Sequence, residues 1–99
     1  MIKHIVLWNI KNEAGGESKE QIMLRIKTML EALNGEIPGL LKLEVGIDKN
    51  RGPAAFDIGL YSEFPDWEAL ADYQIHPKHV ACKDYIKSVC EKQAVCDYE

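Results

Sequence analysis

The sequence has few cysteines, no basic run, no long apolar run and no glycine-rich loop, and each shortage removes a class of function. Its three cysteines, Cys82, Cys90 and Cys96, form neither an even set nor a C-x-x-C pair. That excludes a disulfide framework and a zinc knuckle, and leaves them as reduced small hydrophobes in a chain expected to be cytoplasmic. The 12 lysines and arginines are spread among 16 aspartates and glutamates, for a formal charge of −4. Without a basic stripe, nucleic acid is not an expected partner. A membrane-crossing helix needs about 20 consecutive apolar residues. The apolar opening MIKHIVLWNI is far shorter, is broken by Lys3 and His4, and has no small-residue cleavage site. It reads as a strand, with no membrane partner expected. Gly35, Gly39 and Gly46 stand alone, and Gly15 with Gly16 lacks the rest of a phosphate-binding loop, so no nucleotide cofactor is expected.

What remains is a chain of 99 residues, 46% of them hydrophobic, enough for one compact domain over 1–99 but small enough to gain from a partner subunit. Ile2, His4, Val6, Trp8 and Ile10 alternate with Ile5 and Leu7, predicting a first strand largely buried on both faces. KNEAGG is a polar loop, and Ser18 followed three residues later by Gln21 forms a capping box for a helix running to about Asn34. Ile22, Ile26, Met29, Leu30 and Leu33 give that helix one packing face. LLKLEVGID and AAFDIGLYSEF alternate as two strands of a hairpin. Pro65 and Asp66 start a short helix through Tyr73, with Trp67 and Leu70 inward. A further helix begins near Pro77 and runs to about Cys90, and QAVCDYE closes the chain as a strand.

The order β, α, β, β, α, β predicts a ferredoxin-like α+β fold, a four-stranded antiparallel sheet with its helices on one face. The other face would be apolar and uncovered. A second copy laid against it, closing a dimeric α/β barrel, is the expected partner.

The stretch YQIHPKHV, Tyr73 to Val80, has a complete structural reading: Pro77 disfavours helical geometry at His76, so one helix stops and another starts there. It also has a chemical reading. His79 lies near a helix N-terminus, where the dipole disfavours the imidazolium and keeps a neutral base available. Asp97 on the closing strand is the carboxylate expected to orient it, and Tyr73 supplies a hydroxyl. His4 is a polar insertion on an apolar strand face and needs a partner. These residues would form a polar end to an apolar pocket, with Trp8 and His76 as further contacts for a small apolar or aromatic ligand. Trp8, Trp67, Phe56 and Tyr61 also suit plain core packing. A metal shared by His76 and His79 would need a continuous helix, and no cysteine or carboxylate completes the set, so no metal is expected.

The residues KHIVLW, IPGLLKLEVG, LYSEF, ALADYQIHPKHV and VCDYE, in that order over nearly the whole chain, resemble the stress-responsive A/B barrel (Dabb) family. The resemblance implies a ferredoxin-like subunit of a dimeric α/β barrel. The family includes a plant polyketide cyclase that works without a cofactor. By matching positions its histidine base resembles His79, its tyrosine Tyr73, its orienting aspartate Asp97 and a further pocket histidine His4. The sequence departs from it at Asn9, where the cyclase has lysine, and at Met23 and Leu24, which offer no aromatic hydroxyl. Three roles follow: a cofactor-independent cyclase, isomerase or lyase; a non-catalytic ligand-binding or stress-associated dimer; and, by fold analogy alone, a cofactor-independent monooxygenase.

Overall fold

Alternation decides the first element. In the computed structural model, which describes residues 1–99, β1 (Ile2–Ile10) buries Ile2, His4, Val6, Trp8 and Ile10 and leaves Lys3, Ile5, Leu7 and Asn9 half-exposed. This is the period of two that a pleated strand imposes. The polar stretch after it is more than a loop. Gly15 and Gly16 have φ of 60° and 81°, which a two-residue hairpin turn requires, and they join a small ribbon of β2 (Glu13–Ala14) and β3 (Glu17–Ser18). Ser18 caps α1 (Lys19–Glu31) through the expected box: its Oγ accepts from the Gln21 N–H, and Gln21 Oε1 accepts from the Ser18 N–H.

α1 ends at Glu31 rather than near Asn34. The N–H groups of Leu33 and Asn34 tighten onto the carbonyls of Leu30 and Glu31, and the Asn34 side chain serves β4 (Lys42–Ile47). It accepts from the Leu43 N–H at 3.0 Å and donates to the Leu43 carbonyl at 2.9 Å. One turn back, Glu31 accepts from the Val45 N–H and Lys27 donates to the Val45 carbonyl. β4 is an outer strand, so α1 side chains occupy backbone groups that an edge normally leaves open.

β5 (Ile58–Phe64) pairs with β4 and β1, and β6 (Cys90–Tyr98) pairs with the other side of β1, all antiparallel, in the order β4-β5-β1-β6. β6 begins at Cys90, before the expected Gln93, and its register on β1 shifts between Asn9 and Ile10. α2 (Trp67–Ile75) and α3 (Pro77–Val89) join α1 over the face that carries His4 and Trp8, giving the ferredoxin-like fold expected. Trp67 corrects one expectation. It is 48% exposed and its indole N–H donates to Glu99 Oε1 at 3.2 Å; as the first residue of α2 it lies outside the packed face, which Leu70 and Tyr73 form.

One buried carboxylate ties the far end together. Asp57 accepts from the Ile10 N–H (2.8 Å), Lys19 Nζ (3.1 Å) and Arg51 Nη2 (3.0 Å). Burial alone would raise its pKa, but the Ile10 N–H and the two cations outweigh that and hold it below the usual carboxylate range. No helix of the chain is long and apolar enough to cross a membrane.

Candidate functional site

The centre of β1 and the helix junction face each other across a cavity of about 390 Å³. Its apolar walls are Val6 and Trp8 of β1, Leu30 of α1, Leu60 of β5, Ile86 of α3 and Val95 of β6. Its polar residues come from β1 (His4), α2 (Tyr73, Gln74), α3 (His79, Lys83, Lys87) and β6 (Gln93).

The junction places His79 through a relay of backbone bonds. In an unbroken helix the Gln74 carbonyl would accept from the N–H four residues on, at Lys78. Pro77 breaks the helix, His76 takes an extended conformation, and its Nδ1 accepts the Lys78 N–H at 3.1 Å as the cap of α3. The Gln74 carbonyl is thereby left for His79 Nδ1, 3.3 Å away. A carbonyl only accepts, so Nδ1 carries the hydrogen, and Nε2 of the neutral ring is the basic nitrogen. Burial pushes the His79 pKa below its ordinary value against the opposing effect of the Gln74 bond, and the nearby charges of Lys83, His4 and His76 push it the same way as burial. A neutral ring at pH 7 follows. The stretch YQIHPKHV is therefore a helix junction that also fixes the tautomer of His79.

Asp97 does not orient His79. It sits directly opposite His4 in the β1–β6 register and bonds His4 Nδ1. An ionised carboxylate only accepts, so this bond keeps the His4 proton on Nδ1. His4 is 4% exposed, while the Asp97 side chain, on the edge strand, is 30% exposed. The polar insertion on β1 thus has the partner it requires, and His79 is anchored by a main-chain carbonyl.

Tyr73 lies between the two histidines. Its ring centroid is 4.1 Å from that of His79, 6.3 Å from that of His4 and 5.0 Å from that of Phe64. The residue is fully buried, and no protein group bonds its hydroxyl. Burial, with a smaller contribution from Cys82, raises its pKa, so it is a phenol and a potential donor. Of the residues singled out in the sequence, His4, Trp8, Tyr73 and His79 meet at the cavity and Asp97 supports it from behind. His76 does not line it; its Nδ1 is spent on the helix cap. Gln74, Lys83, Lys87 and Gln93 were not foreseen. The intervals of four from His79 to Lys83 to Lys87 were the available signal for the lysines, because they place all three on one side of a helix.

Residues 2–99 match the stress responsive A/B barrel domain. Olivetolic acid cyclase of Cannabis sativa is 31% identical over 98% of this chain and 94% of its own length. An uncharacterised protein of Streptomyces coelicolor is 31% identical over 82% of this chain and 81% of its own. A dimeric protein of unknown function and ferredoxin-like fold from Bacteroides fragilis superposes with a TM-score of 0.87 at 37% identity, covering 99% of this chain and 94% of its own. With the domain matched from end to end and the ferredoxin-like fold in place, the chain belongs to the stress responsive A/B barrel (Dabb) family.

Proposed function

We propose that the chain acts as a single-domain homodimer and catalyses cofactor-independent proton transfer on a small carbonyl compound. His79 Nε2 removes a proton beside the carbonyl, and Tyr73 donates a hydrogen bond to the oxyanion that develops. His4, held by Asp97, is the second imidazole in reach of the bound molecule. Aldol-type cyclisation and keto–enol isomerisation both begin with such a step. One observation carries the reading: a neutral imidazole with its tautomer set by the Gln74 carbonyl lies against an unbonded, buried phenol, their rings tilted by 35°, at a cavity with apolar walls. The similarity to a cyclase over the whole chain supports it.

The test is proton exchange in D2O, followed by NMR, on a panel of β-keto and phenolic compounds. A general base contributes about 100-fold or more, so His79→Ala is expected to lower exchange by at least that factor while the fold is kept. Unchanged exchange would remove His79 from the mechanism. Absence of exchange by the unmodified protein across the panel, with ligands still bound, would instead favour the binding-only role.

Homodimerisation is supported by the uncovered sheet face. Ile5, Leu7 and Tyr61 stand there beside Gly46 and Gly59, around a shallow groove of about 450 Å³, low enough for a second sheet to approach. The Bacteroides fragilis relative is dimeric. Sedimentation at micromolar concentration is expected to give a dimer, and Leu7→Glu a monomer. A monomeric unmodified protein would defeat the barrel.

A further inference from the structure

The proposed proton transfer gives no role to Lys83 and Lys87, although both line the cavity. His79, Lys83 and Lys87 recur every four residues on α3, so they form one stripe along the slot, about 12 Å from first to last at 1.5 Å per residue. The chain's ion pairs use Lys19, Arg25, Lys27, Arg51, Lys78 and His4. Neither Lys83 nor Lys87 has a carboxylate partner. No aspartate or glutamate lines the cavity either, in a protein whose formal charge is −4. The local excess of positive charge thus runs against the trend of the whole chain. Across from the stripe the walls are apolar, with Val6, Trp8 and Leu60.

We infer that the cavity selects acidic ligands: a small aromatic or unsaturated carboxylic acid lies with its apolar body over Trp8 and its carboxylate at Lys83 and Lys87. Lys83 stands one helical turn beyond His79, about 6 Å along the axis. A carboxylate held there keeps the negative charge away from the basic nitrogen and leaves the carbon skeleton beside Tyr73 and His79. The unpaired ammonium groups at the mouth also draw anions toward a protein that otherwise repels them. This assignment rests on the cavity being a ligand site, as proposed above, and is independent of whether catalysis occurs there.

The test compares cinnamate with cinnamamide, which share a skeleton and differ in charge. Affinities are read by titration calorimetry, and the indole resonance of Trp8 locates the bound molecule. Two ion pairs made by exposed lysines contribute up to about tenfold together, so cinnamate is expected to bind up to about ten times more tightly than cinnamamide. In the double variant Lys83→Gln, Lys87→Gln that gap is expected to close through weaker cinnamate binding alone, and in the unmodified protein it is expected to shrink as salt is raised. Equal affinities in the unmodified protein, or a gap that survives in the double variant, would overturn the anion assignment while leaving the cavity a binding site. Failure of both molecules to shift Trp8 would overturn the cavity reading and the anion assignment together.

Discussion

Tyr73→Phe is expected to make the protein more stable and less active. The Tyr73 hydroxyl is buried without a protein partner, and a buried polar group in that state costs about 1–3 kcal/mol. Phenylalanine keeps the contacts with Phe64 and His79 and removes the unpaired oxygen. A gain of about 1 kcal/mol, or a rise of roughly 5 °C in Tm, is expected. Loss of a donor to a developing oxyanion lowers turnover by about 100-fold or more. The opposite signs matter, because a purely structural tyrosine gives no reason for activity to fall as stability rises. Calorimetric unfolding alongside the proton-exchange assay checks both. A lower Tm would show that the hydroxyl is satisfied within the fold, and undiminished exchange would take it out of the mechanism.

Asp57→Ala is expected to cost about 2 kcal/mol, chiefly for leaving the buried Ile10 N–H without an acceptor, because Lys19 and Arg51, 27% and 54% exposed, can return to water. The Ile10 N–H, Lys19 and Arg51 all lose an acceptor, and with it β1, the start of α1 and the loop after β4 lose their common anchor. Asp57→Asn keeps an oxygen for the Ile10 N–H and is expected to lose about half as much. The sign of the pH dependence follows from the depressed pKa of Asp57. Its contribution is present above the unfolded value of about 3.9 and disappears as pH falls through the folded value. The stability gap between the unmodified protein and Asp57→Asn should therefore be widest near neutrality and narrow below about pH 4. Urea unfolding at several pH values measures it; a gap that widens in acid would contradict the assignment.

The elements of the fold were legible because their signals are local. Alternation in β1, the Ser18 and Gln21 box and the break at Pro77 each depend on a few neighbouring residues. The hairpin at Gly15 and Gly16 was missed because two glycines fit a flexible loop as well as a tight turn. Within the site, Tyr73, His79, His4 and Trp8 could be placed together from the order of elements. The partner of Asp97 could not. Strand register decides it, and the register of β6 shifts opposite Asn9 and Ile10, which no short pattern records. The anchoring of His79 by Gln74 was hidden for another reason: main-chain carbonyls are the same at every position, and only the capping geometry of His76 reveals which one is free.

The side chains with which α1 and the turn after it meet β4 have a consequence for assembly. Lys27, Glu31 and Asn34 saturate Leu43 and Val45 as a fifth strand would. A foreign strand arriving there finds no free donors or acceptors at those two residues and would first have to peel a helix away. Strand addition is thus hindered at that border, which leaves the β6 edge and the broad side of the sheet for any contact between copies. Those three residues thus guard the β4 edge against strand addition, at the cost of no extra element of structure.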